Sequence, residues 1–132
     1  MKRILALVLV FVTALTMVGC ARKIVTFDID GASKILLMSG SSGEVVEITD
    51  AETIAYITDN INSMTFSRHE SSRQHNGWSY SLRWYDSEDN LIEYIVVMSA
   101  TQIDYGNYFY NEMDADVEID IEYLKELLGE NQ

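Results

Sequence analysis

Between Lys34 and Met64 the chain reads KILLMSGSSGEVVEITDAETIAYITDNINSM. Lys34–Met38 and Glu44–Ile48 are apolar runs. Ser39-Gly40-Ser41-Ser42-Gly43 between them supplies glycines for positive φ, so the pair reads as a β-hairpin. Thr49-Asp50-Ala51-Glu52 then has the spacing of a capping box, with Thr49 as the cap and Glu52 reaching back to it. Ile54, Ile57, Ile61 and Met64 follow at helical spacing and form one apolar stripe that faces a core. Two strands joined by a tight loop must run antiparallel, because a parallel pair needs a crossover of a dozen residues or more.

Working outward, Lys23–Ile29 alternates, with Val25, Phe27 and Ile29 on one side, and reads as a strand before the hairpin. Beyond the helix, Thr65–Arg68 reads as a strand and Glu70–Gly77 as a polar loop. Trp78, Tyr80, Leu82 and Trp84 alternate with Ser79, Ser81 and Arg83, as in a half-buried strand whose aromatic side is core. Asp86–Asn90 turns the chain into a strand at Leu91–Met98, and Tyr108–Tyr110 is a candidate last strand. Ile121, Leu124, Leu127 and Leu128 form a final helical stripe, with Asp120 as N-cap and Gly129 as C-terminal stop. The predicted fold is α+β: an antiparallel sheet of hairpins packed by one central helix, with a short C-terminal helix.

At the other end, Lys2 and Arg3 precede Ile4–Val18, an apolar run interrupted by Thr13 and Thr16 and closed by Gly19-Cys20. As a helix the run would span roughly 22 Å, short of the roughly 30 Å hydrocarbon core of a bilayer. A charged start, a short apolar middle and a small residue at the end describe a secretory signal. Met17-Val18-Gly19-Cys20 resembles the lipobox of bacterial lipoproteins, with Met17 in place of the usual leucine. The resemblance implies that residues 1–19 are removed and that Cys20, the one cysteine of the chain, carries acyl chains such as palmitate. Residues 20–23 then form the anchor and a short tether, and residues 24–130 a single domain. No cysteine remains for a disulfide, a zinc cluster or a thiol nucleophile.

The chain of 132 residues has a formal net charge of −12, which becomes −14 once Lys2 and Arg3 leave with residues 1–19. That charge repels nucleic acid and anionic lipid headgroups alike, and no polybasic patch offsets it. Membrane attachment must then come from acyl chains, two of which hold far better than one. From Lys34 to about Tyr110, the order of elements, with SGSSGEVVEITDAETI leading to GWSYSLRWYD, resembles small uncharacterised lipoproteins of Gram-positive bacteria. This resemblance implies a surface location and no activity.

Two acidic motifs invite other chemistry. Phe27-Asp28-Ile29-Asp30-Gly31 resembles the first motif of haloacid-dehalogenase-type phosphatases, which would make Asp28 the nucleophile and Asp30 the acid/base beside Mg²⁺. Ala32 stands where that motif needs a hydroxyl residue, and a hairpin follows where it needs a crossover helix. Asp114, Asp116, Glu118 and Asp120 alternate, which would place them on one face if extended, screened by water, faced by Arg68, Arg73 and Arg83, or holding a cation, with water or arginine the preferred readings. The start mimics a calcium loop, but Ile119 and Lys125 occupy the positions that need glycine and glutamate. His69 and His75 lie six residues apart in a polar stretch and lack the spacing of a metal pair. Tyr105, Tyr108, Phe109 and Tyr110 crowd a short irregular segment, and aromatics of this kind are favoured where partners dock.

The resulting expectation is a membrane-anchored, extracytoplasmic lipoprotein at the cell membrane. Its domain binds a protein or envelope component through Tyr105, Tyr108, Phe109 and Tyr110, needs no metal or cofactor, and is not an enzyme. The alternatives are a metal-dependent hydrolase using Asp28 and Asp30, and a calcium-stabilised structural lipoprotein.

Overall fold

The computed structural model describes residues 22–130. Within them the strands are β1 (Ile24–Thr26), β2 (Lys34–Ser39), β3 (Val45–Ile48), β4 (Thr65–Ser71), β5 (Tyr80–Tyr85), β6 (Leu91–Ser99), β7 (Gln102–Tyr105) and β8 (Tyr108–Glu112). The helices are α1 (Ala51–Asn62) and α2 (Ile121–Leu128). All eight strands form one antiparallel sheet in the order β1-β4-β8-β7-β6-β5-β2-β3. The α+β architecture read from the hairpin and the two apolar stripes is the one observed.

Strand alternation gives the sheet two unlike faces. Ile35 pairs with Trp84 and Leu37 with Leu82, and Leu82 pairs in turn with Ile95, so one continuous row crosses β2, β5 and β6. All five side chains are fully buried. α1 lays Ile54, Ile57 and Ile61 on this face, and α2 adds Leu124 and Leu128. The indole N–H of Trp84 donates to the Thr58 hydroxyl at 2.9 Å, so the largest buried ring leaves no polar atom unpaired.

Two asparagines on α1 tie down the segments that flank it. Asn62 brackets the backbone of Ile29, accepting from its N–H and donating to its carbonyl, both at 3.0 Å. Asn60 does the same across a gap, donating to the Glu118 carbonyl at 2.9 Å and accepting from the Asp120 N–H at 3.0 Å. Phe27, Ile29 and Ile119 are thereby held in the core although none belongs to a strand. In each case a side-chain amide replaces the missing partner strand.

Several local expectations are corrected. Helix α1 is capped by Asp50, not Thr49: Asp50 Oδ2 accepts from the Thr53 N–H at 3.0 Å and from its hydroxyl at 2.7 Å. A carboxylate one residue later reaches the N3 amide and adds charge at the positive end of the helix, so it displaces threonine. The first strand ends at Thr26, because Phe27–Ser33 leaves the sheet edge and passes beneath the covered face, although Val25, Phe27 and Ile29 do point inward. Trp78 precedes β5 and is 37% exposed, lying against Gly40, so it does not share the core with Tyr80 and Trp84. Gly40 is required there, since a Cβ would strike the Trp78 carbonyl.

Candidate functional site

The aromatic segment is regular. β7 and β8 form a two-residue hairpin with Gly106 and Asn107 at φ 57 and 69, the geometry of a type I′ turn. Tyr105 pairs with Tyr108, and Ile103 with Tyr110, on the helix-covered face. Phe27 packs edge-on against Tyr105 with ring centroids 5.1 Å apart, and Tyr105 packs against Tyr110 at 6.3 Å. Burial raises the pKa of the Tyr105 phenol, and the charge of Glu93, which accepts its hydrogen bond, raises it further. Phe109 points to the opposite face, where His75 stacks edge-on at 5.1 Å. Phe109 and Tyr110 are buried, while Tyr105 and Tyr108 are half-buried. Closing the hairpin thus takes Phe109 and Tyr110 into packing, while Tyr105 and Tyr108 keep part of their rings at the surface.

The carboxylate motifs do not converge. Asp28 and Asp30 are exposed on the strap after β1, and Asp30 lines an open groove of about 250 Å³ with Gly31, Ala51, Ile54 and Asp59. A turn at Ala115-Asp116 breaks the alternation of the 114–120 stretch, as the Asp116 N–H folds back onto Asp114 Oδ1 at 3.0 Å. Asp120 is structural: it accepts from the Tyr123 N–H at 3.1 Å to cap α2 and from the Tyr56 hydroxyl at 2.6 Å. That bond raises the pKa of Tyr56. An open groove of about 570 Å³ runs past Asp116, Glu118 and Asp120. Among the described residues no three His, Cys, Asp or Glu side chains come close enough to hold a metal ion.

The arginines set opposite these carboxylates lie elsewhere. Arg68 stacks on Tyr108 at 4.6 Å and Arg83 on Tyr94 at 4.4 Å, while Arg73 is exposed in the loop after β4. The ion pairs among the described residues are Lys34–Asp89 and Lys125–Glu122. His69 and His75 are both exposed. Cys20 lies outside the described residues.

The helix-free face of the sheet is the feature that motif reading missed. The Ser72–Trp78 loop covers part of it, with the Ser72 hydroxyl donating to Asp104 at 2.7 Å and His75 over Phe109. Across β3, β2, β5 and β6 the face stays open. Val45 pairs with Met38, Met38 with Ser81, and Ser81 with Val96, while Leu36 pairs with Arg83 and Arg83 with Tyr94. Leu36, Met38, Arg83, Tyr85 and Val96 are half-buried, Tyr94 is 39% exposed and Val45 50% exposed. Lys34 lies over the Tyr85 ring at 5.0 Å, so two cation–tyrosine pairs sit on this apolar surface. The sequence signal was the unbroken apolar run ILLM, since a strand apolar on both sides has two faces to satisfy.

Such a face offers area and rings for contact but no nucleophile beside a base. Among the described residues no helix is long and apolar enough to cross a membrane. Set against protein-family models, curated proteins and solved structures, the chain finds no match in any of the three.

Proposed function

We propose that this protein is a lipid-anchored lipoprotein facing outside the cytoplasm, whose domain binds another protein or an envelope component and catalyses no reaction. The observation that carries the reading is the apolar run closing on Met17-Val18-Gly19-Cys20, followed within four residues by the first strand at Ile24. A signal cut before Cys20 would leave the whole sheet and both helices intact, with the acylated residue at the head of the edge strand. The open sheet face supports a binding role, because half-exposed Leu36, Met38, Tyr85, Tyr94 and Val96 form a flat apolar and aromatic surface on an otherwise acidic chain. The family resemblance to small lipoproteins of Gram-positive bacteria points the same way.

The test is metabolic labelling of cells with a fatty-acid probe. Wild-type chain should take up label and partition with membranes, and Cys20→Ala should do neither. Equal labelling of the two would contradict the anchor.

A further inference from the structure

Four of the seven basic side chains among the described residues gather at one corner of the sheet. Arg22 and Lys23 are exposed and lead into β1. The Arg68 N–H donates to the Lys23 carbonyl at 2.9 Å, which brings the middle of β4 beside them, with His69–Ser71 running on past Lys23. Arg73 is exposed where the chain leaves β4. None of the four makes an ion pair among the described residues. The acidic side chains nearest in the strand pattern are exposed Glu70, half-buried Asp104, which is engaged by Ser72, and half-buried Glu112, two register pairs from Arg68. Exposed His69 and His75 belong to the same corner.

Asp86, Glu88 and Asp89 sit in the β5–β6 turn, at the same end of the sheet as this corner but three to four strands away from β4, while one block of acidic charge lies at the other end. Glu112 to Glu130 carries eight carboxylates against one lysine. β8 runs from the corner toward this end, where the Met113 N–H donates to the Thr65 carbonyl at the start of β4. Ser71, at the end of β4 that leads to Arg73, stands about 20 Å from Thr65, whereas Arg68, at the middle of the strand, is two register pairs or about 7 Å from Glu112. With a Debye length of about 8 Å at physiological salt, the acidic end is screened at Arg73 and only partly at Arg68. In the sequence Cys20 precedes Arg22 by two residues and Ile24 by four, so on the lipoprotein reading a lipid there is joined to the basic corner by a very short tether.

We infer that Arg22, Lys23, Arg68 and Arg73 form the membrane-facing corner of the anchored domain, docking on anionic headgroup phosphates and directing the acidic end away from the bilayer. The inference rests on the lipoprotein reading. It also revises what net charge alone implied: the chain is repelled by an anionic surface as a whole but attracted at the corner that the lipid brings to it. Each cation held near an anionic leaflet favours the docked orientation about fivefold.

The test uses lipidated full chain purified from membranes and reconstituted into vesicles of phosphatidylcholine, with or without phosphatidylglycerol, each containing a headgroup-linked nitroxide quencher. Acylation occupies the Cys20 thiol, so a fluorophore can be placed through Gln74→Cys at the corner or Ala115→Cys at the acidic end, both exposed positions. On phosphatidylglycerol vesicles, quenching at position 74 should exceed that at 115 several-fold. The contrast should collapse in 0.5 M salt (about 4 Å screening) and in the exposed triple variant Arg22→Glu, Lys23→Glu, Arg73→Glu, while attachment and the unfolding temperature persist. Equal quenching at both positions, or a contrast that survives charge reversal, would overturn the docking corner and leave the anchor standing. Failure to attach to pure phosphatidylcholine would overturn the anchor, and the docking corner with it.

Discussion

Ile35, Leu37, Leu82, Trp84 and Ile95 are fully buried on one face of the sheet, while Leu36, Met38, Arg83, Tyr94 and Val96, their immediate chain neighbours, remain partly in water on the other. The strands are the same and so is much of the side-chain chemistry. What differs is the cover: α1, α2 and the straps pinned by Asn60 and Asn62 close the first face, while a single loop closes only part of the second. Burial here follows the second layer more than hydrophobicity. The covered face supplies the stability, and the open face leaves apolar and aromatic surface in water, which we propose serves for contact.

Substitutions on the two faces should separate these roles. Trp84→Ala removes the largest fully buried ring and strands the Thr58 hydroxyl, so it should cost about 3–5 kcal/mol in urea unfolding. Ile57→Ala, in the stripe that seals the same face, should cost about 2–5 kcal/mol, and a change under about half a kcal/mol would show that the helix does not close the core. On the open face, Tyr94→Ala loses the stacking of Arg83 and should cost about 0.5–1 kcal/mol; a loss as large as that of Trp84→Ala would mean the face is a second core.

The smallest effect should come from two exposed turns that belong to neither face. Thr53 hydrogen bonds hold the Asp50 carboxyl below its ordinary 3.8, and the Asn90 N–H does the same for Asp86. A lowered folded pKa contributes stability that is present above that ordinary value and is lost as pH falls through the folded one. Thermal unfolding should therefore weaken slightly below about pH 4. Asp50→Asn with Asp86→Asn should flatten that part of the profile.

The period of the apolar residues made the hairpins and both helices legible, because alternation at two and stripes at three to four leave few alternatives for Leu82–Trp84 or Ile54–Ile61. What stayed hidden depended on contacts between distant segments. Nothing near Asn60 or Asn62 in the sequence announces that they bracket Glu118–Asp120 and Ile29. The β7–β8 hairpin was legible in principle: Gly106-Asn107 between alternating aromatics is a two-residue turn signal, outweighed by the density of rings around it. The carboxylates at 114–120 had the right spacing for a shared face but not the extended backbone it assumes, since the Asp114 side chain bonds the amide of Asp116 and bends the chain. The basic corner needed both the β1–β4 pairing and the position of Cys20, and composition hides it inside a net charge of −12.

The division between the faces is tested most directly by photo-crosslinking in intact cells, with benzoylphenylalanine at Tyr94 on the open face or at exposed Tyr56, beside α2 on the helix-covered side. A discrete adduct from position 94 that is absent at position 56, and is lost when Met38 and Val96 are changed to glutamate in a chain that still folds, is the predicted result. Adducts of equal strength from both positions, or none from position 94, would contradict the open face as the contact surface.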